Sequence, residues 1–133
     1  MIEVKTKWIR EQQFEGVASG GHRILLDADK KTAGSPMELV LLGLCGCTAS
    51  DVVTILGKKR EPLTSLEITA EAERAPSPPA VYTEIRLTYR VGGKVTPKAV
   101  EDAVRLSEEK YCSVAAMLRK TAKISYVIEY SEA

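Results

Sequence analysis

A chain of 133 residues is long enough for one domain with its own core, and 44% apolar with 28% charged residues are ordinary soluble-protein proportions. Nineteen basic against eighteen acidic residues leave a net charge of +1, which excludes the electrostatic footprint of a nucleic-acid or anionic-membrane binder. Three cysteines and one histidine, widely scattered, also argue against a structural zinc site, which takes four ligands at close cysteine spacing.

The N-terminus, MIEVKTKWIREQQF, has no apolar signal-peptide core and alternates like a strand, with Ile2, Val4, Thr6 and Trp8 expected on an inner face. Two shorter strands are expected at 13–18 and 22–28, turned by Gly20 and Gly21. SPME at 35–38 opens a helix: Ser35 caps it, Pro36 takes the first helical position and Glu38 completes a capping box. That helix is expected to run to about Leu56 and stop at Gly57. The basic run KKR at 58–60 suits its C-terminus.

LEITAEAE at 66–73 alternates through Leu66, Ile68, Ala70 and Ala72. VYTEIRLTYRV at 81–91 does so through Val81, Ile85, Leu87, Tyr89 and Val91, and RAPSPPA at 74–80 is the loop between these strands. A second helix opens at Thr96 and Pro97 with an inner stripe of Val100, Ala103, Val104, Ser107 and Tyr111. A short helix is expected to start at Ser113 in SVAAML, and KISYVIEY at 123–130 closes the chain as a strand. No repeat or linker divides it, so residues 1–133 read as a single domain.

Between Leu39 and Ser50 the first helix has no charge on any face, and a helix apolar all round is expected to be buried all round. One small sheet covers one side only. The pattern therefore calls for two packed layers and a homodimer. The same run is shorter than the roughly 20 residues that span a bilayer, so no membrane partner is expected and the chain reads as cytoplasmic. There thiols stay reduced, so three cysteines point to buried or reactive thiols.

Cys45 and Cys47 lie two apart on a helix, about 200° apart around its axis, and so point to opposite sides. Cys45 reads as a small buried hydrophobe. Cys47 precedes Thr48, Ser50 and Asp51, where the helix turns polar, and Cys112 stands where the second helix gives out. Core filler explains both. Two thiols at helical boundaries also have the form of an attacking and a resolving pair, since a helix N-terminus favours thiolate.

The stretch Ser35-Pro36-Met37-Glu38-Leu39, the Leu/Gly-rich run into Gly46-Cys47-Thr48, and Glu109-Lys110-Tyr111-Cys112-Ser113 resemble the OsmC/Ohr family of thiol-dependent hydroperoxide reductases, above all its OsmC-like branch. The resemblance spans nearly the whole chain. It implies an α+β fold with antiparallel sheets wrapped around two central helices in an intertwined homodimer. It implies that Cys47 is the peroxidatic cysteine and Cys112 the resolving one. The substrate would be an organic hydroperoxide and the reductant an external dithiol, a lipoylated protein in parts of the family. No metal, flavin or haem is called for.

The family supports its thiolate with an arginine from an N-terminal strand and a glutamate early in the central helix. Arg10 is the first match for the arginine and Arg23 the second, although WIREQQF lacks the family's Gly-Gly-Arg context. Met37 replaces the glutamate, and Glu38 follows one position later, about 100° round the helix, where capping also explains it. His22 beside the Gly20-Gly21 turn is a further candidate, and Asp51 is a candidate for a helix-end or interface partner. The competing class is a non-catalytic dimer that binds a small apolar or thiol-containing ligand, which Met37 favours.

Overall fold

The computed structural model describes residues 1–131, which form two compact units that divide between Leu42 and Gly43. In the first unit, β1 (Lys5–Arg10), β2 (Gln13–Val17) and β3 (Arg23–Asp27) form an antiparallel sheet in the order β1-β2-β3. Gly21 turns β2 into β3 with φ 87°, a backbone state that suits glycine. The expected inner face of β1 is not inner: every residue of this strand is exposed. Trp8 is 65% exposed, and its Nε1 donates to the Glu11 carbonyl at 2.8 Å instead of packing.

Helix α1 (Pro36–Lys58) begins as its capping chemistry dictates. Ser35 N–H donates to Glu38 Oε1 at 2.9 Å, and Glu38 N–H donates to Ser35 Oγ at 3.2 Å. It passes through Gly57 and ends in a Schellman arrangement. Glu61 N–H donates to the Leu56 carbonyl and Arg60 N–H to that of Gly57, with Arg60 itself at φ 57°.

In the second unit, β4 (Leu63–Arg74), β5 (Tyr82–Gly93) and β6 (Lys123–Ser131) form the second sheet, with β5 in the centre. β4 and β5 are antiparallel, whereas β5 and β6 are parallel, so this sheet is mixed and not wholly antiparallel. The cause is the connection. After β5 the chain runs through α2 (Pro97–Leu106), a π-helical turn (Ser107–Tyr111) and α3 (Ser113–Leu118), a crossover long enough to bring β6 back alongside. A bulge at Glu73/Arg74 shifts the register, so Tyr82 is buried at the start of β5 while Val81 is 37% exposed.

The core of this unit sets Ile85, Leu87, Tyr89 and Val91 of β5 together with Val100, Ala103 and Val104 of α2 and a stripe of α1. That stripe, Leu44, Thr48, Val52 and Leu56, repeats every four residues. The remaining circumference of α1 is open: Leu42 is 62% and Val53 50% exposed. Burial all round is thus not met within one chain, because a single layer covers a single stripe. By length and composition α1 would also span a bilayer, with mean hydropathy 2.0 over its most apolar window, a property core helices share.

Candidate active site

Cys112 owes its place to the π turn. Continued α-helical phase from Ser107 would put Tyr111 inside, as the stripe 100/103/104/107/111 predicts. Instead Cys112 N–H donates to the Ser107 carbonyl at 2.8 Å, five residues back, and one extra residue enters the turn. The phase slips, Tyr111 swings out to 50% exposure and Cys112 turns in to 4%. Cys112 then becomes the N-cap of α3, its Sγ accepting from Ala115 N–H at 3.4 Å.

The Cys47 side chain, on α1, lies beside Cys112, close enough to act on its thiol, and both cysteines are reduced. Burial pushes the Cys112 thiol up to about 12 against the pull of the Ala115 N–H, and Cys47 and the Glu108 carboxylate push it further up. The helix-terminal N–H is present, as the sequence suggests, but desolvation outweighs it. Cys112 is therefore a thiol, not a thiolate, at neutral pH. Cys45, two residues away on α1, is half-buried, and its thiol is raised by desolvation alone.

Beside the thiols runs a polar chain that is buried at its centre and open at its Asp51 and Arg119 ends. Asp51 Oδ2 lies 2.9 Å from Ser107 Oγ, Ser107 Oγ 2.7 Å from Thr48 Oγ1, and Thr48 Oγ1 2.7 Å from Tyr89 OH. Tyr89 OH donates to Glu108 Oε1 at 2.6 Å, and Arg119 Nη2 donates to Glu108 Oε2 at 2.8 Å while its Nη1 reaches the Glu108 carbonyl. Thr48, Tyr89 and Ser107 are fully buried and Glu108 is 3% exposed. Burial first, and the Glu108 contact with it, raise the Tyr89 phenol far above its ordinary value. A groove of about 390 Å³ adjoins this chain, lined by Asp51, Thr54, Ile55, Lys58, Lys59, Leu106 and Tyr111.

Sequence reasoning missed Tyr89, Glu108 and Arg119 as site groups. A signal for one of them existed: Glu108 stands four residues after Val104 and eight after Val100, which puts a charge on the apolar stripe of α2. The other nominated residues lie in the first unit. Arg10 and Arg23 are exposed on β1 and β3, His22 is exposed in the turn, and Glu38 is held in the α1 cap. The Ser35 N–H, then the Ser35 hydroxyl, hold the Glu38 carboxyl below the usual carboxylate range. Among the described residues no three His, Cys, Asp or Glu side chains converge to hold a metal ion.

A mixed-sheet α+β chain that brings two reduced cysteines from separate helices side by side defines a class of dithiol protein. Residues 28–127 match the family of OsmC-like proteins, and the chain belongs to that family. Protein YhfA of Escherichia coli is 41% identical over 130 residues, covering 96% of this chain and 97% of that one. A hypothetical protein from Aquifex aeolicus has a solved structure that superposes with a TM-score of 0.86 at 36% identity, covering 98% of each chain. The organic hydroperoxide resistance protein OhrB of Bacillus subtilis shares the fold at a TM-score of 0.70 and 12% identity, covering 97% of this chain and 98% of that one.

Proposed function

We propose that this chain reduces organic hydroperoxides with Cys47 as the attacking and Cys112 as the resolving thiol. The observation that carries the reading is the closeness of these two thiols in a protein whose fold is shared by organic hydroperoxide resistance proteins. Cys47 thiolate attacks the distal oxygen of the hydroperoxide, the O–O bond breaks, and the alkoxide leaves as an alcohol on taking a proton. Cys47 is then a sulfenic acid. Cys112 sulfur attacks it, the S–S bond forms, and the hydroxyl departs as water with the Cys112 proton. An external dithiol, such as a lipoylated protein, restores both thiols in the reducing cytoplasm.

Only the thiolate attacks, so a cation must favour it at Cys47. Arg10 is assigned that role first and Arg23 second, with Glu38 as the supporting carboxylate. A second copy of the chain completes the working unit as a homodimer. The test is a thiol count before and after one equivalent of cumene hydroperoxide. The reading expects two of the three cysteine thiols to disappear and to return with a dithiol. An unchanged count would give the site to the competing reading, a dimer that binds a small apolar or thiol-containing ligand without turnover.

A further inference from the structure

Cys112 sits at a break between two helical pieces. Its backbone is extended, with φ −75° and ψ 103°, between the π turn that ends at Tyr111 and the six residues of α3. A helix so short does not hold its own shape, since isolated helices need about 12 residues or more. Local bonds around the thiol are few: Cys112 N–H to the Ser107 carbonyl, Ala116 N–H to the Cys112 carbonyl at 3.1 Å, and Ala115 N–H to Sγ. Something beyond the helix must fix where this sulfur stands.

Arg119 is placed to do so. It is the C-cap of α3, and its guanidinium reaches back eleven residues to Glu108 in the π turn. Nη2 donates to Glu108 Oε2 at 2.8 Å and Nη1 to the Glu108 carbonyl. One planar group thus closes the segment 108–119, with Cys112 between its ends. Glu108 is pinned in turn, because Tyr89 OH on β5 donates to its other carboxylate oxygen at 2.6 Å. The same hydroxyl lies 2.7 Å from Thr48 Oγ1, and Thr48 follows Cys47 on α1. A second route is shorter: Thr48 Oγ1 meets Ser107 Oγ at 2.7 Å, and the Ser107 carbonyl takes the Cys112 N–H at 2.8 Å. Both thiols hang from one frame.

Stability alone does not account for the charged member of that frame. Glu108 is 3% exposed, and a carboxylate so buried repays its desolvation poorly even when paired. What a two-pronged guanidinium adds is fixed geometry. We infer that Arg119 is the positioning residue of the resolving thiol: closed on Glu108, it holds Cys112 where its sulfur meets the oxidised Cys47. The inference deepens the proposed function and rests on Cys112 as the resolving thiol. It gives the Glu108–Arg119 pair to the second step of the reaction and leaves the first to Cys47.

The test runs both steps without peroxide, using the aryl disulfide DTNB on the full chain carrying Cys45→Ala. Cys47 thiolate attacks DTNB and releases one coloured thiolate. Cys112 then gives its proton to solvent and attacks the Cys47 sulfur of the mixed disulfide; the Cys47–Cys112 bond forms and a second coloured thiolate leaves. Arg119→Met is expected to slow the second release about tenfold or more and to leave the first within about twofold, because small displacements cost large factors in an intramolecular attack. Arg119→Lys keeps the charge without the two-pronged geometry and is expected to fall between. Equal slowing of both releases would mean a general loss of structure and would overturn the assignment, as would a wild-type second release in Arg119→Met. Should Arg119→Met not fold, an unchanged second release in Arg119→Lys overturns it alone. The double variant Glu108→Gln/Arg119→Met separates position from charge, since it leaves no Glu108 carboxylate to act on Cys112. Its second release is expected to stay slow, and recovery to the wild-type rate would give the effect to charge and overturn the positioning role. If cumene hydroperoxide consumes no thiols while both DTNB steps behave as expected, the peroxidase reading fails and Arg119 keeps its role.

Discussion

The surroundings of Cys112 suit the resolving role proposed for it. Cys112 is 4% exposed, with Cys47 and the Glu108 carboxylate close by, and burial above all keeps its proton on. Cys47→Ser is expected to abolish peroxide consumption. Cys112→Ser should permit one oxidation per chain and leave a sulfenic acid that dimedone traps, detected as a mass adduct on the Cys47 peptide. Adduct on Cys45 instead would displace Cys47 as the nucleophile. The raised Cys112 thiol also makes a pH prediction. Its native value of about 12 lies above the ordinary 9.0, so the native state binds this proton more tightly than the unfolded chain. The stability it confers is complete below pH 9 and is lost as pH rises from about 9 toward 12. Urea melts at pH 8 and about pH 10.5 should show wild type losing more stability than Cys112→Ala over that interval.

At the scale of elements, what sequence revealed depended on whether the physics was local. The cap at Ser35, Pro36 and Glu38 was legible because three neighbouring residues satisfy each other's backbone groups, and the structure has those bonds. Alternation revealed β4 and most of β5 but not direction, since a strand has the same period whether its neighbour runs up or down. The π turn was invisible because one added residue is a tertiary choice, made to bury Cys112 in place of Tyr111. The end of α1 shows the same limit. Gly57 looked like the stop, yet the left-handed position falls to Arg60 at φ 57°. A side chain there costs about 1–2 kcal/mol relative to glycine, partly offset by the greater freedom of glycine in the unfolded chain. Arg60→Gly is expected to stabilise the protein by about 0.5–1 kcal/mol. Chemical denaturation would show this as a higher midpoint at unchanged slope.

For the whole molecule, the apolar surface of a single chain is the quantity to explain. Trp8, Ile24 and Leu25 are exposed on the first sheet at 65%, 48% and 55%, and Leu42 and Val53 are exposed on α1 at 62% and 50%. Trp8 and Ile24 lie on one face of that sheet and Leu25 on the other, and isolated exposed hydrophobes are common, so the open side of α1 is where the proposed dimer has apolar surface to bury. The uncharged face of α1, read from sequence as buried all round, is buried along one stripe only in a single chain, and the homodimer proposed above would cover the rest. Sedimentation at micromolar concentration is expected to give twice the mass of the 14.5 kDa chain. Val53→Lys, on the open side of α1, would put a charge into the apolar face that the proposed dimer buries and should shift the protein toward monomer. Thr54→Lys on the neighbouring groove side serves as the comparison, since it adds the same charge outside the apolar face. A wild-type chain that sediments as a stable monomer, with Leu42 and Val53 freely exposed, would remove the dimer and leave α1 with an open apolar face.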